Sequence, residues 1–196
     1  NRVEFVISKE VWKRHQYLVN AFTAALVEWA KYIPIRQTIY YDGLPPFVGE
    51  AMPDAKNCKN AIKVGFVDLQ EEYDFDKKII GIWLPTPRRL LFDVDYFQKN
   101  PEEIFSVALH ELGHLFGLPH IVNRFEPGST GYLVLAEGDA RDYVMYPTAF
   151  ADRPQNQLSE IEIEYARHQV TYILSLDQLM SRQECQIAFD DTKSMR

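Results

Sequence analysis

The stretch His110-Glu111-Leu112-Gly113-His114-Leu115-Phe116-Gly117-Leu118-Pro119-His120 decides how this chain of 196 residues is read. Histidines four apart on a helix project from one face a turn apart, so His110 and His114 can grip one ion. Zinc takes imidazole nitrogen at about 2.0–2.1 Å. Glu111 stands about 100° further round the same helix, beside such an ion rather than on it. Gly117 permits the left-handed turn that ends the helix, and His120 then approaches from outside as a third ligand. Three protein ligands leave a fourth position for water, as a catalytic zinc site requires and a structural one does not. The pattern of three histidines, Glu111 and Gly117 arises by accident in about one of 10⁵ such chains. The sequence therefore predicts one catalytic Zn²⁺ at His110, His114 and His120. Zinc lowers the pKa of its water toward about 7. Glu111 takes that water's proton as general base, the hydroxide attacks an amide carbonyl, and Glu111 returns the proton to the departing amine. No Ser or Cys nucleophile is required.

Outward from this segment the chain punctuates itself clearly. Asn100, Pro101 and Glu103 read as N-cap, first helical residue and capping-box partner of the histidine helix, and Ile104, Phe105, Ala108, Leu112 and Leu115 supply its apolar face. Upstream, residues 3–7, 35–41, 61–69, 79–84 and 89–93 read as strands. Between the first two, Val11, His15, Leu18, Val19, Phe22, Ala25, Leu26 and Trp29 recur at helical spacing, and Pro34 stops that helix. The acidic stretch Asp68, Glu71, Glu72, Asp74 and Asp76 reads as a solvated loop, with a calcium loop as the alternative. Downstream, residues 157–180 contain a third helix. His15 and His168 read as packing or surface residues rather than ligands.

Composition narrows the classes. Apolar residues make up 46% and charged residues 25%, which is globular. There is no run of about 18 apolar residues, so no membrane span is expected. The net charge of −7 weighs against nucleic acid as a partner, which needs a cationic footprint. Cys58 and Cys185 are too few for a disulfide scaffold; they can form one bridge, stay free, or belong to different surfaces.

The histidine segment, with Tyr143-Val144-Met145-Tyr146-Pro147 after it, resembles the metzincin clan of zinc peptidases, and within it the matrixins, the matrix-metalloproteinase family. Met145-Tyr146-Pro147 is similar to the matrixin Met-turn. Phe75-Asp76 and Phe92-Asp93 match two Phe-Asp steps of the family, and Leu158-Ser159 the start of its last helix. The resemblance implies an α+β fold. A twisted, mostly parallel sheet of about five strands and two long helices would form an N-terminal subdomain over about residues 1–117. A smaller subdomain, about 118–180, would carry the Met-turn and the C-terminal helix, with a tail at 181–196. Met145 would sit as an apolar base under the ligands. Residues 79–84 would be an edge strand pairing with extended substrate through Gly81, Ile82, Trp83 and Leu84. Leu109, Pro147, Thr148, Ala149 and Phe150 would line the pocket for the residue after the scissile bond, favouring an apolar one.

Departures from the family are specific. Trp83 and Leu91 stand where histidines of a second, structural zinc are expected, so one zinc is predicted. Asp76 and Asp93 match two ligands of the family's calcium site, making Ca²⁺ a second candidate ion there, but Tyr96 replaces an acid and Lys77-Lys78 replace a glycine turn. Twenty-four residues separate His120 from Met145, a longer loop than the family's. Cys58 lacks the flanking pattern of the family's inhibitory cysteine. The function read from all this is a zinc endopeptidase acting on extended protein or peptide substrates, monomeric, with a propeptide or protein inhibitor as a further partner. Because the family is largely secreted and residue 1 is Asn rather than Met, an extracellular location is expected. Two other readings remain: a zinc-dependent peptide-binding domain, against which the retained Glu111 speaks, and a zinc hydrolase of a non-protein amide, against which substrate pairing with a strand speaks.

Overall fold

Alternation of large apolar side chains builds the sheet. The computed structural model describes residues 2–33, 36–42, 62–73, 79–86, 88–124, 131–148 and 155–175. In β1 (Arg2–Ser8), Val3, Phe5 and Ile7 are buried at every second position, the period of a strand with one packed face. It pairs in parallel with β2 (Arg36–Asp42) on one side and β3 (Ile62–Val67) on the other. β3 pairs in parallel with β5 (Arg89–Asp93), whose Leu90, Leu91 and Phe92 are all buried, as in a strand covered on both faces. β4 (Gly81–Leu84) adds antiparallel to β5, giving the order β2-β1-β3-β5-β4. The expected α+β class with a mostly parallel sheet is what the chain forms, and β4 stands at an edge of it.

Helices cover the sheet, with two differences from expectation. The single helix expected from Val11 onward is two: α1 (Lys9–Arg14) and α2 (Gln16–Ala30). The break is His15, whose ψ of 42° leaves the helix, while its carbonyl accepts from Leu18 and Val19 and starts α2. Leu18, Val19, Phe22, Ala25, Leu26 and Trp29 form the buried stripe of α2 as the spacing predicts. Part of the acidic stretch is α3 (Leu69–Tyr73), and α4 (Val94–Lys99) follows β5 directly. Both start on an aspartate. Asp68 Oδ1 accepts from Gln70 and Glu71 N–H. Asp93 Oδ1 accepts from Tyr96 N–H, and its Oδ2 from Leu69 N–H.

The histidine helix is α5 (Ile104–Leu115), entered through a 3₁₀ turn at Pro101–Glu103. Its predicted capping box is not formed. Asn100 makes no side-chain cap bond there; its amide donates to Tyr96 O at the end of α4, and Glu103 accepts from the Tyr96 hydroxyl at 2.7 Å. Burial and that bond push the Tyr96 phenol up to about 12. The reciprocal box instead opens α6 (Glu160–Ser175): Ser159 N–H donates to Glu162 Oε2 at 2.9 Å, and Glu162 N–H donates to Ser159 Oγ at 3.2 Å. α2 packs along α5, with Trp29 Nε1–H donating to Leu109 O at 3.0 Å and the Trp29 ring edge-on to Phe116. Among the described residues, no helix is long and apolar enough to cross a membrane.

After α5 the chain forms a two-stranded parallel sheet, β6 (His120–Val122) with β7 (Tyr132–Val134). Asn123 closes the segment that follows: its amide donates to Gly138 O and its oxygen accepts from Ala140 N–H.

Candidate metal centre

His110 and His114 leave α5 on one face, and His120 opens β6. The helix ends as Gly117 allows. With φ at 91°, it lets Gly117 N–H reach His114 O and Leu118 N–H reach Gly113 O, the two bonds of a Schellman turn. That turn also aims a ligand, because Leu118 O lies 2.8 Å from His114 Nδ1. Val144 O lies 2.7 Å from His110 Nδ1 in the same way. Carbonyls only accept, so both Nδ1 atoms carry the proton and both Nε2 atoms are bare. The Nε2 of His120 is 3.0 Å from that of His114 and 3.2 Å from that of His110. Nitrogens at about 2.0–2.1 Å from one tetrahedral ion stand about 3.3 Å apart. The bare lone pairs of His110 and His114 converge on one point, where a cation is the partner that suits them. Among the described residues, this is the group of three or more His, Cys, Asp or Glu side chains close enough to hold a metal ion.

Electrostatics agree with the geometry. Burial, then the neighbouring His114, lowers His110 to about 3. The same two causes lower His120 to about 4, and burial lowers His114. All three rings are neutral near pH 7, the form that ligates. Glu111 is buried, which pushes it up to about 8, opposed by a hydrogen bond from Trp83 N–H. A dication nearby pulls such a carboxyl down again.

The edge strand lies against this carboxylate. A Cβ on Gly81 would stand 2.8 Å from Val107 Cγ1 and 3.0–3.1 Å from Glu111 Cγ and Oε1. Glycine is therefore what lets β4 approach α5. Met145 is fully buried with its sulfur over Gly113, where a Cβ has no room. Met145 thus meets Gly113 of α5 through its sulfur and Glu162 of α6 through its N–H.

Other expected residues fall differently. Gly81, Ile82, Trp83 and Leu84 are half-buried on the edge strand. Leu109 is fully buried in the core, so its side chain does not line an open cleft as expected. Pro147 and Thr148 are exposed. Ala149, Phe150, Asp76, Cys58 and Cys185 lie outside the described residues. Asp93, expected on calcium, is buried with both oxygens on backbone N–H groups, and it caps α4 and holds α3. His168 is exposed on α6, away from the cluster.

Sequence reading missed four contributors. Tyr132 pairs with His120 across β6 and β7, its ring 5.7 Å from the imidazole; nothing in the sequence signals this. Val144 and Leu118 act through carbonyls, which no side-chain pattern reports. Glu162 carried a signal, the Ser-x-x-Glu spacing from Ser159.

Compared with known proteins, the chain matches no family model and no curated relative.

Proposed function

We propose that the chain is a zinc-dependent endopeptidase of the metzincin type, closest in its motifs to the matrixins. One observation carries this reading: three neutral imidazoles converge their Nε2 atoms beside a buried glutamate one residue along the helix from the first. Zinc suits three nitrogen ligands with an open position, and would be held by His110, His114 and His120. When bound it supplies Lewis acidity toward a carbonyl and toward water.

The remaining chemistry belongs to the chain. Glu111 accepts a proton from water on its carboxylate and passes it to the departing amine. The Trp83 N–H holds that carboxylate in place. The edge strand β4 pairs with an extended peptide, so the scissile bond runs past Glu111 while backbone bonds tolerate many sequences. An apolar residue after the scissile bond, and action outside the cell, complete the proposal.

The test is cleavage of casein and of a peptide library by purified protein, with and without a zinc chelator. Chelator-sensitive cutting before apolar residues is expected, and cutting mainly before charged residues would sink the specificity. Zinc binding with peptide capture but no cleavage would favour the binding-domain reading. Metal analysis should find one zinc per chain.

A further inference from the structure

The peptide group joining Val144 and Met145 is gripped at both ends. Its carbonyl accepts from His110 Nδ1–H at 2.7 Å, and its N–H donates to Glu162 Oε1 at 2.8 Å. We propose that Glu162 is a positioning residue for the metal centre, acting on His110 through this one peptide group. The proposal rests on His110 being a metal ligand.

Glu162 is fully buried on the first turn of α6. Its other oxygen accepts from Ser159 N–H at 2.9 Å and Ser159 Oγ–H at 2.8 Å. These partners, and the Val144 N–H beside them, are all donors, the set that suits an ionised carboxylate. Oε2 fixes the side chain to its own helix, and Oε1 is left aimed at the turn carrying Met145. The peptide between is planar and rigid, so its carbonyl cannot rotate away from His110 without breaking the bond to Glu162. An anion pulling on the N–H also enriches the carbonyl oxygen, strengthening the next bond in the chain by roughly 10–30%. A stronger acceptor at Nδ1–H makes His110 Nε2 the better donor to a metal. The same turn is tied to β6, where Ile121 N–H donates to Met145 O at 2.9 Å, next to His120.

His114 provides the contrast. Its carbonyl partner is Leu118, and the peptide after Leu118 is to Pro119, which has no N–H. No carboxylate can act on His114 by this route. Glu162 therefore affects one ligand and not its neighbour on the same helix.

The experiment compares wild type, Glu162→Gln and Ser159→Ala by zinc competition with a chromophoric chelator. Proton NMR of the histidine Nδ1–H resonances in the zinc-loaded proteins is read alongside. Glu162→Gln should weaken zinc binding by about 10–100-fold, move the His110 Nδ1–H resonance upfield and leave that of His114 in place. Ser159→Ala should move the same quantities less, in the same direction; it serves alone if the glutamine variant does not fold. Unchanged zinc affinity with an unmoved His110 resonance overturns the proposal. So does an equal shift of both histidines, which marks general loosening. Wild type that binds no zinc overturns the metal reading, and the proposal with it.

Discussion

Glu111 and Glu162 are both buried helical glutamates, and burial raises the pKa of each above the ordinary carboxylate value. Their surroundings differ. Among the described residues, Glu111 has one backbone donor, Trp83 N–H, and faces the histidine cluster's own helix and the edge strand. Glu162 meets four donors from two segments, Ser159 N–H and Oγ–H and the N–H groups of Val144 and Met145. A carboxylate with spare lone pairs in a dry setting is available to move a proton. One whose oxygens are committed holds structure. On the proposed function, the same residue type in two buried settings is separated into chemistry and architecture by the donors around it.

The sharpest way to break the comparison is to neutralise each in turn. Glu111→Gln should cut peptide hydrolysis by about 10²–10⁴-fold, with zinc content and thermal midpoint close to wild type. Fluorogenic-peptide kinetics and metal analysis read this out. Glu162→Gln should do the reverse, lowering the midpoint while much of the turnover survives at saturating zinc. Its amide must point a donor at Met145 N–H or at Ser159, and one unsatisfied buried group costs about 1–3 kcal/mol. If Glu111→Gln proves the less stable of the two, the assignment of roles is reversed.

Each carboxylate's region also depends on a glycine. Gly113→Ala drives a methyl into Met145 and should cost about 1–3 kcal/mol of stability, as overpacking does. Gly81→Ala presses on Val107 and Glu111, so it should lower kcat more than it lowers the midpoint. Denaturant titrations beside kinetics separate the two outcomes.

A pH profile sharpens the comparison further. Glu162 binds a proton more tightly folded than unfolded, because burial outweighs its donors. Its contribution to stability is then full below the ordinary glutamate value of about 4.3 and is lost as pH rises through the folded value. The urea midpoint of wild type relative to Glu162→Gln should therefore rise as the solution is acidified from neutral pH toward that ordinary value. A difference that instead grows with pH would mean the donors outweigh burial.

Most of the sheet and the histidine cluster were legible because their signals are local. Val3, Phe5 and Ile7 alternate, the histidines sit at helical spacing, and Gly117 marks a stop that its φ of 91° explains. What escaped reading depends on distant partners. α3 and α4 are short, and their stability comes from Asp68 and from Asp93, whose second oxygen reaches back 24 residues to Leu69. Tyr132 meets His120 only because β7 pairs with β6. Glu162 looks like any solvated glutamate of an acidic helix start until Met145 folds onto it.

The two cap patterns make the smallest prediction. Asn100 to Glu103 and Ser159 to Glu162 share a spacing, yet only the second pair bonds reciprocally. Asparagine at 100 already spends its amide on Tyr96 O, and Glu103 takes the Tyr96 hydroxyl instead of turning back. A double-mutant cycle on Ser159→Ala and Glu162→Gln should therefore give a coupling of about 0.5–3 kcal/mol, because the residues share bonds. The cycle on Asn100→Ala and Glu103→Gln should give a smaller coupling, because these side chains do not bond each other and meet only through Tyr96. Comparable coupling in both would mean that the Asn100 pair closes in solution. The spacing alone, rather than what else competes for each side chain, would then decide which helix start is capped.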